Sequence, residues 1–217
     1  MKTPREIYEA YQIMPALQLH QLRVAAVAQM ICDHIEGPID TRTVVLTTLF
    51  HDMGNIIKSK LDRFPEFLEP QGREYWEGVK AEYVKKYGDN QHAAGEAIAK
   101  EIGLPEQVVA AIPMIAFSNL EHCRDTNVYE EKIVEYADQR VGPYGILSMR
   151  ERIDEAHARY PAHNPYEGIE DNRFEVLKKA AFEVEKQIFA RCSIGPEDIT
   201  DTSIVPIVDT LWDYSVL

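Results

Sequence analysis

The stretch TRTVVLTTLFHDMGN, residues 41–55, decides the fold. Its Thr and Val content suits a strand. Asp40 stands just ahead of it, however, as an N-cap whose carboxylate can accept the free N–H groups of a first helical turn. From that cap to Gly54 the run is too long for a typical strand, and it has neither period-two alternation nor a hairpin turn. It reads as a helix ending at about Gly54.

Working outward, the same periodicity continues on both sides. Leu19, Leu22, Ala26, Gln29 and Ile31, with Val24, Val27 and Ala28 between them, give the wide apolar face of a largely buried helix, which Gly37-Pro38 ends. On the C-terminal side, residues 55–90 are charged and aromatic together, with Phe64, Phe67, Tyr75, Trp76, Tyr83 and Tyr87. A helix is expected there over 73–87. The segment reads as a surface helical hairpin packed on the body or as a lid over a pocket, and one segment can do both. Further helices are expected over 92–101, from Pro105 towards Phe117 with a break near Pro113, and over 129–141, 146–160 and 170–191. PAHNPYEG, residues 161–168, reads as a turn, and residues 193–217 as a loop and a short final element docked through Ile204, Ile207, Leu211 and Trp212. The fold class is all-α: a single-domain helical bundle with a helical segment inserted after His51-Asp52.

Composition narrows the function classes. The 217 residues hold 36 Asp and Glu against 23 Lys and Arg, a net charge of −13. Such a surface repels a phosphate polymer, so no nucleic-acid partner is expected and small-molecule chemistry is. Cys32, Cys123 and Cys192 are widely spaced, with no CxxC pair, which fits a reducing cytoplasm. No secretory leader and no apolar run of membrane-spanning length is seen, so no membrane role is expected.

Among seven histidines, His34, His157 and His163 lie among charged or turn residues and read as surface. His20 instead falls within the apolar LQLHQLRVAAVA, where a buried ring needs a partner. His51 and Asp52 follow VVLTTLF directly. Neighbours on a helix diverge by about 100°, so both can reach one ion only near a helix end, where unpaired carbonyls also favour a cation. Asp138, in KIVEYADQRV, follows Val134 and Ala137 on an inward face.

His20, then LFHDMGN, then VEYADQRV, on a helical scaffold, resembles the HD-domain superfamily of metal-dependent phosphohydrolases over about residues 15–142. The resemblance implies that His20, His51, Asp52 and Asp138 bind a divalent metal. Two imidazoles and two carboxylates form an N/O set suited to Mn, Fe, Co, Ni or Zn, and less to Mg. Some branches add histidines for a second metal. QHAAGEAIAKEIGLPEQVVAAI matches the start of that pattern at His92, but Pro113-Met114-Ile115 stands where the next His would be, and His122 is the nearest candidate.

The implied reaction is hydrolysis of a small phosphorylated substrate, a nucleotide phosphomonoester or anhydride, by a metal-activated water. Asp52 doubles as an orienting base, and His92 is the other candidate catalytic residue. Arg23, three residues after His20, is the preferred phosphate contact, with Lys58 second. For Lys58 and Arg140 a surface charge is the plainer reading. Two alternatives stand beside this one: a non-catalytic regulatory or nucleotide-binding module, and an HD-type diiron oxygenase, which needs a fuller ligand set.

Overall fold

The computed structural model describes residues 2–159 and 171–217. Through them run α1 (Pro4–Ala10), α2 (Pro15–His34), α3 (Thr41–Phe50), α4 (Arg73–Tyr87), α5 (Gln91–Ile102), α6 (Glu106–Ala111), α7 (Leu120–Asp125), α8 (Tyr129–Asp138), α9 (Met149–Arg159), α10 (Asp171–Phe189) and α11 (Asp201–Leu211). Extended pairing among the described residues is limited to two isolated bridges, Ile35 with Cys192 and Val141 with Ile146. The fold is therefore all-α, as the helical periodicity predicts. The expected turn at 161–168, with His163, lies outside the described residues.

Helix α2 is the axis of the bundle. Leu22, Val24, Ala25, Ala26, Val27, Ala28 and Ile31 are fully buried, and the helix packs against α3, α8 and α11. Its alanines let those neighbours approach closely, while each large aliphatic side chain removed from water contributes about 1.5–3 kcal/mol.

The Thr- and Val-rich run is a helix because it is wrapped on all sides. Every residue from Val44 to Phe50 is buried, so no polar face marks the helical period, and burial outweighs β-propensity. Asp40 caps it as expected, accepting the Thr43 N–H at 3.1 Å and the Thr43 hydroxyl at 2.7 Å.

The inserted segment holds two short 3₁₀ turns, Asn55–Ile57 and Pro65–Leu68, followed by α4 over the expected residues. Trp76, Val79 and Tyr83 form the buried face of α4. The Trp76 indole donates to the Leu68 carbonyl at 3.0 Å, and the Lys80 ammonium to the Ser59 carbonyl at 2.7 Å. The aromatic residues thus anchor the insertion to the body. Phe64 and Phe67 stack on each other and meet Tyr144 from the loop after α8.

Several boundaries depart from expectation. Helix α3 ends at Phe50, short of Gly54, and α8 ends at Asp138, short of Val141. Helix α6 stops at Ala111, with Pro113 inside a 3₁₀ turn, Ile112–Met114. Helices α1 and α7 have no counterpart in the expected set. Arg140, read as a surface charge, is buried: its guanidinium donates to the carbonyls of Leu147, Pro196 and Ile199 and to the Tyr136 hydroxyl. It ties α8 to the C-terminal tail, where Ile204 and Leu211 dock α11 and Ile207 and Trp212 pack partly buried. Among the described residues no helix is long and apolar enough to cross a membrane.

Candidate metal centre

Three helix ends or starts converge on one point. His20 comes from the second turn of α2, His51 and Asp52 from the two residues after α3, and Asp138 from the last position of α8. Helix α3 stops where it does because its outgoing hydrogen bonds are diverted. The Asp52 N–H, which would continue the helix by bonding to Thr48, goes instead to Gln21 Oε1 at 3.2 Å. The Thr48 carbonyl takes the His51 Nδ1–H at 2.8 Å, and the Leu49 carbonyl takes the hydroxyl of fully buried Tyr8 at 2.6 Å. Side chains thus satisfy the orphan carbonyls of a helix C-terminus, and in doing so they set the orientation of His51.

His20 Nε2 lies 3.2 Å from Asp138 Oδ1 and 3.8 Å from Asp52 Oδ2. His51 Nε2 lies 3.4 Å and 3.8 Å from the same two oxygens. The two rings are 5.6 Å apart, tilted by 51°. His20, His51 and Asp52 each offer a ligand atom, all within 4.8 Å of one another, and could hold a metal ion.

The donor chemistry fits a divalent cation. Because a carbonyl only accepts, His51 Nδ1 carries a hydrogen, and Nε2 is the ring atom left to take a proton or a cation. That Nε2 is buried and has no hydrogen-bond partner among the described residues. It faces two carboxylate oxygens, so either a proton or a cation must stand between them. Donor atoms bound to one ion at about 2.0–2.2 Å stand on the order of 3 Å apart, close to the spacing seen.

The electrostatics agree. Burial opposes a charged His51, but Asp52 and Asp138 outweigh it and raise the imidazole to about 9. Burial alone would raise both carboxyls. The histidines hold Asp138 well below the ordinary carboxylate range, and His51, Lys58 and His20 lower Asp52.

His92 stands on the first turn of α5, exposed, its Nε2 accepting from Gln91 Nε2 at 3.1 Å. Burial and then Lys58 lower its pKa, while Asp52 pulls the other way, so Lys58 and His92 both stand within electrostatic reach of Asp52. Gly54 brings α5 there: a Cβ on it would clash with the Gln91 carbonyl oxygen. Arg23 is half-buried on α2 and forms no hydrogen bond or ion pair with the described residues. His122 is exposed on α7, paired with Glu131 at 2.9 Å, away from the cluster. His157 is exposed against Phe174, and His34 is half-buried, its Nδ1 on the Met30 carbonyl. Pro113, Met114 and Ile115 offer no nitrogen or oxygen side-chain ligand.

Four polar residues beside the cluster carry no signal in the sequence: Gln21, Asn55, Glu135 and Gln139. Gln21 holds the Asp52 N–H. Asn55 Nδ2 donates to Asp52 Oδ2 at 2.7 Å. Gln139 Nε2 donates to Asp138 Oδ2 at 3.3 Å and to Glu135 Oε1 at 3.2 Å.

A model of the HD domain matches residues 18–140, more than half of the chain, and brackets His20 and Asp138 closely. The chain belongs to the HD domain family. No curated protein and no solved structure matches it. The matched span contains His51 and Asp52 and the segment 55–90 that follows them.

Proposed function

We propose that the protein is a metal-dependent phosphohydrolase acting on a small phosphorylated molecule, with a nucleotide phosphomonoester or anhydride as the substrate class. The observation that carries this reading is the convergence of two imidazoles and two carboxylates on a buried His51 Nε2 that has no other partner. His20, His51, Asp52 and Asp138 would hold a divalent transition ion, Mn, Fe, Co, Ni or Zn in preference to Mg. Such an ion polarises a phosphoryl oxygen and lowers the pKa of a water, supplying a nucleophile near neutral pH.

The chain's own residues do the rest. Asn55 pins Asp52 Oδ2, and Oδ1, with no donor among the described residues, can accept a proton from the attacking water. His92, whose pKa is lowered by burial and then by Lys58, serves as an acceptor. Lys58 and Arg23 supply the positive charge that a phosphate needs on a protein of net charge −13. That same charge supports a small anion as partner and not a nucleic-acid polymer. A cytoplasmic setting belongs to this reading, supported by three free thiols.

Purified protein should carry about one equivalent of transition metal and release phosphate from a member of a nucleotide and phosphate-ester panel. Asp52→Ala should abolish both, and survival of metal content and activity in that variant would refute the assignment. The absent ligand at Pro113-Met114-Ile115 keeps a second reading open, a nucleotide-binding regulatory module. Its signature would be thermal stabilisation by a nucleotide with no product after long incubation with Mn, Co or Ni.

A further inference from the structure

Glu135 is 1% exposed and forms no ion pair with a Lys or Arg among the described residues. A buried carboxyl group costs several kcal/mol unless its oxygens are hydrogen-bonded, so its partners explain its presence. Oε2 accepts the Ala116 N–H at 2.8 Å, and Oε1 accepts the Gln139 carboxamide at 3.2 Å. The same Gln139 nitrogen donates to Asp138 Oδ2 at 3.3 Å, while Asp138 Oδ1 faces His20 and His51. One amide group thus bridges two carboxyl groups, that of Asp138 in the cluster and that of buried Glu135.

The placement matters because Asp138 is the last residue of α8 and Gln139 its C-cap. A carboxylate at a helix end is free to turn about its own axis and to move with fraying. Gln139 takes up the outward oxygen and leaves Oδ1 as the inward one. Glu135, one turn back on the rigid part of α8, holds Gln139 in place, and through Ala116 it fastens the chain that follows the Ile112–Met114 turn.

We propose that Glu135 and Gln139 are positioning residues for Asp138, a carboxamide relay that fixes which oxygen faces the metal and ties residues 112–116 to the metal centre. The inference rests on the metal-binding reading of the cluster. If the pair served only to brace the Ala116 bend, removing the amide would lower stability without a specific effect on metal.

The test uses the full-length chain with Co²⁺ as probe, titrated by visible absorption against a chelator. Gln139→Met keeps the side-chain volume and removes both N–H groups. Relative to wild type it should weaken Co²⁺ binding about 10- to 100-fold and shift the ligand-field bands. Ile133→Val, a buried trim on the same helix that removes no hydrogen-bonding group, should leave both unchanged. Should Gln139→Met fail to fold, Gln139→Asn, one bond too short to span both carboxylates, should weaken Co²⁺ in the same direction. Equal affinity and an unchanged spectrum in the Gln139 variant would overturn the relay. A wild-type chain that fails to bind Co²⁺ would instead overturn the metal reading itself.

Discussion

At the scale of single residues, His51 faces two demands in the metal-free protein. Its Nδ1 hydrogen is committed to Thr48, so charging the ring puts a second proton on Nε2, the atom a metal would need. Asp52 and Asp138, against burial, keep that proton up to about 9. Metal must displace it, so binding should release a proton at neutral pH and tighten as pH climbs towards 9. Calorimetry in two buffers of different ionisation enthalpy measures the release, and a pH-independent affinity would contradict it. Linkage adds a stability consequence. The folded-state value lies above the ordinary 6.5, so stabilisation from protonated His51 is complete below 6.5 and is lost as pH rises towards 9. Glu135, raised to about 8 by burial and then by Asp138, acts in the same sense from its ordinary 4.5 upward. Metal-free protein should therefore melt at lower temperature through the mildly alkaline range, and added metal should oppose the loss. The four charged or imidazole groups of the cluster were legible in the sequence, because His and Asp on apolar helices demand an explanation. Gln21, Asn55, Glu135 and Gln139 were not: a carboxamide or carboxyl one to three residues from a proposed ligand carries no pattern until the backbone aims it.

At the scale of elements, Gly54 is a packing residue before it is a turn residue. Its φ is −91°, which any residue can adopt, but the α5 backbone at Gln91 and Gly95 leaves no room for a Cβ. Gly54→Ala should cost about 1–3 kcal/mol in urea unfolding and move His92 away from Asp52; a neutral effect would mean that the α3–α5 contact is soft. The long buried helices α2 and α3 and the amphipathic α4 were readable from spacing and caps. Helices α1 and α7, at seven and six residues, are too short to show a period. The end of α3 has little local signal, because apart from His51 on the Thr48 carbonyl its bonds are taken from afar. Tyr8 and Gln21, more than forty and thirty residues away, capture the bonds that would have continued it.

At the scale of the molecule, the HD-matched span does not stand alone. Helix α11 packs against α2, Arg140 reaches Pro196 and Ile199, and Arg42 of α3 donates to the carbonyls of Ser215 and Val216. Deleting residues 196–217 would strip an apolar face from the central helix and leave a buried guanidinium short of acceptors. The truncated chain should lose cooperative thermal unfolding by circular dichroism, although it retains every proposed ligand; a sharp melt would show that the tail is dispensable. The tail's apolar spacing was visible in the sequence, but the Arg140 clamp was not, since a buried arginine looks like any other until its acceptors arrive from fifty residues on.

The cluster also has a meaning for the unfolded chain. Its four groups come from residues 20, 51, 52 and 138, so an ion that gripped them all would join α2, α3 and α8 as a reversible cross-link. Closing a loop of about a hundred residues removes on the order of 4–5 kcal/mol of conformational freedom from the unfolded ensemble. To come apart, the bundle would first have to release its ion, and the escape rate of that ion would then set how long the native state lasts.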